Sequence, residues 1–167
     1  ERLSRITARV IQRSRSRPLE VAGIERAVFS AMRGKLSWPT RGRMAASFGA
    51  PRGASEIRST GVVLRAPTGQ PIRSIAGGRV VYADWVRGFG LVVIVDHGHK
   101  YLSLYGHARE LLKETGDWVE SGEALGTVGD SGGQSKSGLY FEIRRGARPQ
   151  NPRRWCKGRP SDRSDNA

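Results

Sequence analysis

The side chains able to do chemistry are few in this chain. It holds three histidines and one cysteine. A metal site needs several His, Cys, Asp or Glu donors converging. A lone Cys156 rules out both a disulfide framework and a multi-cysteine zinc site. Asp96, His97 and His99 are the only clustered donors. They fall together on a turn, and no further donor is clearly placed to complete a site, so turn chemistry and solvent contact is the preferred reading. His107 stands apart, in Leu104-Tyr105-Gly106-His107, and reads as a hydrogen-bonded structural histidine rather than a catalytic one. A second group is spaced for recognition. Tyr140, Glu142 and Arg144 lie two residues apart, so on a strand they share one face, while Leu139, Phe141 and Ile143 turn to the core. An aromatic, a carboxylate and a guanidinium exposed in a row suit a docking groove, because Tyr and Arg bury large areas and keep a polar tip.

The elements that would position these groups follow from composition and pattern. The 167 residues allow one core with a helical appendage, but not two large domains. No apolar run approaches the roughly 20 residues that span a bilayer as a helix. Lys plus Arg number 29 against 15 for Asp plus Glu, a net charge of +14, which calls for an anionic neighbour without naming it. No zinc finger, aromatic-rich strand motif or clear helix-turn-helix accompanies the charge, so no nucleic-acid partner is expected. The opening residues show no signal peptide and no initiator Met, as expected of a processed or trimmed chain.

Residues 1–34 read as a helical arm. Leu3, Ile6 and Val10 form one stripe, and after a Ser- and Arg-rich break ending at Pro18, Val21, Ile24, Val28 and Met32 form another. Gly34 would end the second. Such short stripes need a host surface for their apolar sides. Residues 35–158 change character. Short β-rich runs over 61–64, 79–86, 91–95, 101–105, 124–128 and 139–144 alternate with glycine-containing turns, as in a mainly β, antiparallel sheet or sandwich. Asp96-His97-Gly98 reads as a hairpin turn. Residues 159–167 read as a basic, polar, disordered tail.

Several phrases occur in one order: Trp38-Pro39-Thr40-Arg41-Gly42, Gly77-Gly78-Arg79-Val80-Val81-Tyr82-Ala83-Asp84-Trp85, Leu104-Tyr105-Gly106-His107, Gly129-Asp130-Ser131-Gly132 and Leu139-Tyr140-Phe141-Glu142-Ile143-Arg144. Residues 35–158 thereby resemble the LytM, or lysostaphin-type, zinc endopeptidases, which implies their duplicated hybrid motif fold. In active members zinc is held by a His, an Asp four residues later and the last His of a His-x-His. The resemblance places these positions at Ser59, Val63 and Tyr140, and the other catalytic histidines at Gly138 and His107. Only His107 is retained. One imidazole does not hold a catalytic zinc, and a phenol is a poor substitute for imidazole. No metal and no cofactor are therefore expected, and the chain reads as a non-enzyme.

Within that family the phrases are most similar to the EnvC-like murein hydrolase activators. This resemblance implies a degenerate domain that switches on N-acetylmuramoyl-L-alanine amidases during bacterial cell division. The relic groove would bind the amidase through Thr60, Val63, Phe89, Val92, Tyr105, Tyr140 and Arg144. Thr60 stands where that group usually has Lys, and Phe89 where it has Tyr. The resemblance also implies a periplasmic address at the division site and an upstream coiled coil docking on the FtsEX complex. It further implies a restraining arm over the groove, a role for which the Val21–Met32 stripe supplies the apolar side. The alternatives are a LytM-type endopeptidase with atypical zinc ligands and a peptidoglycan-binding module drawn to anionic wall polymer.

Overall fold

The computed structural model describes residues 2–16, 28–51 and 59–161. Helix α1 spans Arg2–Ser16, and a short 3₁₀ turn follows at Phe29–Met32. Ten strands come next: β1 Arg43–Ala46, β2 Val62–Arg65, β3 Pro71–Arg73, β4 Gly78–Val86, β5 Gly90–Gly98, β6 Tyr101–Leu111, β7 Trp118–Val119, β8 Ala124–Val128, β9 Gly138–Arg145 and β10 Arg148–Gln150. Helix α2, Pro152–Trp155, closes the order. The main sheet runs β1-β2-β9-β6-β5-β4-β7. Strand β6 is long enough to serve two branches: Tyr101–Gly106 pairs with β9, and Ala108–Leu111 pairs with β8. All these strand pairings are antiparallel, so the mainly β LytM-type reading stands.

Period-two alternation divides the sheet between two cores. Val62, Leu64, Val93, Val95, Tyr105, Leu139, Phe141 and Ile143 face one, which Phe29, Leu36 and Trp155 complete. Phe89, Val92, Ile94, Leu102, Leu104 and Tyr140 face the other, which α1 completes with Leu3, Ile6 and Val10. Strand β9 is therefore buried on both sides along all but its last residue. Gly61 lets β9 approach: a Cβ there would lie 2.6 Å from the Phe141 carbonyl oxygen and 2.7 Å from Glu142 Cγ.

Three local expectations change. Strand β5 runs through Gly98, so the hairpin turn is His99-Lys100, with φ of 51° and 72°, rather than Asp96-His97-Gly98. Both turn residues sit in the left-handed region that a two-residue hairpin requires, without the Asn-Gly signature that announces one. The described part of the second helical stripe does not meet the α1 core. Val21 and Ile24 lie outside the described residues, Val28 is exposed, and Met32 packs against the opposite core. Finally, the folded chain runs on past 158. Trp155 and Cys156 are buried, Leu36 bridges Cys156, and Pro160 accepts a hydrogen bond from Gly42 N at 2.9 Å. The remainder of the expected tail, 162–167, is outside the described residues.

Candidate functional site

The groove begins with the pairing of β2 and β9. Val63 lies directly opposite Tyr140, and Gly106 of β6 lies opposite Tyr140 on its other side. Phe89 packs on the Tyr140 ring at 4.9 Å between centroids, and His107 stands edge-on to it at 6.1 Å. Val92 joins the same buried cluster. Sequence-distant residues thus meet because four adjacent strands, β2, β9, β6 and β5, present one face.

Polar groups cross this apolar floor as a chain. Glu142 is wholly buried. Its Oε1 accepts from Arg144 Nε at 2.5 Å, and its Oε2 accepts a short hydrogen bond from the Tyr140 hydroxyl. Thr60 Oγ1 lies 3.1 Å from both Glu142 Oε2 and the Tyr140 hydroxyl oxygen. A carboxylate without water needs such partners, because burial of an unpaired charge is expensive. Burial, and then the neighbouring Glu142 charge, push the Tyr140 phenol far above its ordinary range. Tyr140 therefore stays protonated and donates. The expectation that Tyr140, Glu142 and Arg144 are exposed in a row is corrected: all three are buried, Tyr140 in the same apolar cluster as the α1 stripe, and Glu142 and Arg144 in the polar chain they form with Thr60 and the Tyr140 hydroxyl.

Helix α1 packs beside β4 and joins the apolar cluster on this side of the sheet through its first stripe. Leu3, Ile6 and Val10, with Thr7 between them, fall on one side of the helix at spacings of three and four. They share a continuous cluster with Phe89, Val92 and Tyr140. Thr7 brings no polar contact to the groove, since its hydroxyl donates back to the helix carbonyls of Leu3 and Ser4. Sequence reasoning found this stripe but named the Val21–Met32 stripe for the restraining arm, and Val21 and Ile24 lie outside the described residues. The spacing of Leu3, Ile6 and Val10 carried the needed signal.

Not every residue assigned to the groove lines it. Thr60, Val63, Phe89, Val92, Tyr140 and Arg144 gather on the α1 side. Tyr105 does not: it lies on the opposite face, in register with Phe141 and Val93, with its ring on Phe141 at 5.5 Å. Its hydroxyl sits 2.8 Å from Ser103 Oγ and accepts from Ile75 N, and burial pushes its pKa up to about 12. Odd and even residues of β6 face opposite ways, so Tyr105 could share the groove with Leu104 only if the strand broke its pleat.

The positions that the resemblance equates with metal donors and catalytic histidines carry other bonds. The Ser59 hydroxyl donates to the Gly61 carbonyl at 2.9 Å. Val63 offers no donor atom, and Gly138 serves the backbone, donating to Gly129 O. His107 adopts a φ of 63°, and its Nδ1 lies 2.8 Å from the Ser131 carbonyl oxygen, which assigns the ring proton to Nδ1. Burial lowers its pKa, against the pull of that carbonyl, and keeps the ring neutral. One imidazole beside a valine and a protonated phenol does not fit a zinc ion. Asp96, His97 and His99 do not converge either. Asp96 Oδ1 caps Gly98 N, His97 bridges Gly77 O and Ser103 Oγ, and His99 is exposed in the turn. Among the described residues, no three His, Cys, Asp or Glu side chains are grouped to hold a metal.

Comparison with known proteins places this geometry. The model of peptidase family M23 matches residues 58–152. The murein hydrolase activator EnvC of Escherichia coli (strain K12) is 43% identical over 125 residues, covering 75% of this chain and 30% of that protein. The murein hydrolase activator NlpD of the same organism is 37% identical over 123 residues, covering 73% and 31%. Cell division protein DipM of Caulobacter vibrioides is 37% identical over 124 residues, covering 74% and 20%. The chain thus spans less than a third of the length of these relatives. Among solved structures, a zinc-containing peptidase from Vibrio cholerae shares the fold with a TM-score of 0.67 at 20% identity, over 72% of this chain and 40% of that one. Helicobacter pylori Csd3 aligns with a TM-score of 0.63 at 26% identity, over 74% and 35%.

Proposed function

Since this chain belongs to peptidase family M23, we propose that it is a non-catalytic member that activates cell-wall hydrolases, as the names of its EnvC and NlpD relatives indicate for them. The hydrolases it activates are N-acetylmuramoyl-L-alanine amidases of the dividing cell envelope. One observation carries this reading. The surface where an M23 peptidase would hold its metal is built here from Val63, Phe89, Val92 and Tyr140, and the apolar cluster it belongs to takes in the buried stripe of a helix. A face that buries the Leu3-Ile6-Val10 stripe has the shape and chemistry to take another amphipathic helix.

The mechanism is competition between helices for one groove. The amidase rests with its own site blocked by a helical segment, and the groove binds that segment once α1 has left. Activation then depends on the difference in affinity for the blocked and open amidase. Helix α1 acts as a restraint, and it sets the apparent affinity through the fraction of molecules in which the groove is vacant. If about 1% are open, the measured affinity falls about 100-fold below the intrinsic one.

The test mixes the chain with candidate amidases and dye-labelled cell wall, with the chain alone as control. Stimulated release by the mixture, and none by the chain alone, is the expected result. Deleting residues 2–16 should tighten amidase binding and raise stimulation. Wall cleavage by the purified chain alone would overturn the proposal, and so would stimulation that persists unchanged in a Phe89→Asp variant of the groove.

A further inference from the structure

A second surface, on the other side of the sheet from α1, gathers charge of one sign. Residues 28–51 and 143–161 contain no Asp or Glu. The fold lays these two stretches against each other. Leu36 N donates to Trp155 O at 3.1 Å, Lys157 N to Leu36 O at 2.8 Å, and Trp38 Nε1 to Gly158 O at 3.2 Å. Exposed cations then come from three neighbouring segments: Arg33 and Lys35, Arg145 and Arg148, and Arg153, Arg154 and Lys157. None of them forms an ion pair with a described residue, since the pairs found there are Lys113 with Glu123 and Arg144 with Glu142.

Two details argue that the array is more than a solvated face. Arg145 lies directly opposite Arg148 across the β9–β10 pairing. Like charges in that relation destabilise a sheet, and an external anion would relieve the repulsion. Two guanidinium groups are also set in place: Arg33 lies over the Trp155 ring at 4.8 Å and Arg145 over the Tyr101 ring at 5.7 Å. Stacking fixes the plane of the guanidinium and leaves its N–H fork for an oxyanion.

The same stacking narrows the ligand. Trp155 and Tyr101 are buried, so neither offers a ring to a nucleobase or a sugar. The face reads charge alone. Its cations spread over three side-by-side segments rather than along one groove, which matches a two-dimensional array of anions better than a single strand. We infer that this face docks on a membrane surface rich in anionic phospholipid headgroups. The contact is peripheral, since no helix among the described residues is long and apolar enough to cross a bilayer. It leaves the α1 face turned away and available to a protein partner.

Co-sedimentation of the full chain with vesicles tests this. Vesicles of phosphatidylglycerol mixed with phosphatidylcholine should bind it, with affinity falling as salt rises. Vesicles of phosphatidylcholine alone should not. Neutralising Arg145 and Arg148 together as Arg145→Gln/Arg148→Gln should weaken binding about 30-fold, taking each cation at the usual contribution near an anionic surface. Arg153→Gln/Arg154→Gln, on a different segment, should do the same, so that misfolding of one variant leaves the other decisive. Arg87→Gln/Lys136→Gln, with equal net charge and both sites off this face, should stay within about twofold of the parent. An equal loss in that control, equal binding to neutral vesicles, or sedimentation with purified wall but not with vesicles would overturn the assignment.

Discussion

Replacing Ile6 with alanine tests whether α1 is a removable occupant of the groove rather than part of the domain's permanent core. Ile6 is 8% exposed and lies in the middle of the stripe that shares a buried cluster with Phe89, Val92 and Tyr140. The substitution removes about three carbons from the contact, each worth about 0.8 kcal/mol, or about 2.4 kcal/mol in all. Alanine is the better helix former, so little of this comes from helix propensity. An isolated helix of α1's length is marginal in water, so undocking and fraying are one event. The equilibrium for release of α1 should therefore rise about 60-fold. Hydrogen exchange reads this directly: amides of α1 should exchange about 60-fold faster in Ile6→Ala, while those of β5, β6 and β9 keep their protection because their second core is untouched. Ala8→Ser, on the exposed side of the helix, is the control and should change exchange little. If Ile6→Ala speeds exchange equally in α1 and in the central strands, α1 is an integral layer, and the competition mechanism fails.

Other consequences follow from the same contacts. Glu142→Ala leaves the Arg144 guanidinium buried without its partner, so it should lower the unfolding free energy by about 3–5 kcal/mol in urea titration; the apolar pair Glu142→Met/Arg144→Leu should recover most of that. Tyr105→Phe should cost about 1–3 kcal/mol by stranding the Ile75 amide, yet leave amidase stimulation unchanged, because Tyr105 is on the far face of the sheet. Unequal stimulation at equal folded fraction would put Tyr105 back in the groove. His107 has a folded pKa below its ordinary value. Its contribution to stability is complete above the unfolded value of about 6.5 and is lost as pH falls from there through the lower folded value. Thermal melts between neutral and mildly acidic pH should show that slope, and His107→Asn, which tolerates the left-handed backbone, should flatten it.

Six of the ten strands, β2, β4, β5, β6, β8 and β9, were legible because alternation and glycine punctuation are local properties. The runs at 79–86, 91–95 and 139–144 sit inside β4, β5 and β9. That Val63 and Gly138 bring no side-chain donor to their positions was equally legible, since neither side chain carries a ligand atom in any fold. The parity of Tyr140, Glu142 and Arg144 also came from the sequence, because side chains two apart on a strand share a face. Whether that face meets water did not. The cluster that buries Tyr140 takes in a helix more than a hundred residues away in the chain, and a pattern window sees only neighbours. The same limit hid the place of Tyr105, whose side of the sheet follows from its register with Phe141, and the packing of Trp155, whose segment looks merely basic until Leu36 pairs with it. Local sequence decides which residues can share a face; only long-range packing decides what covers that face, because the free energy of burial belongs to the pair of surfaces and to neither alone.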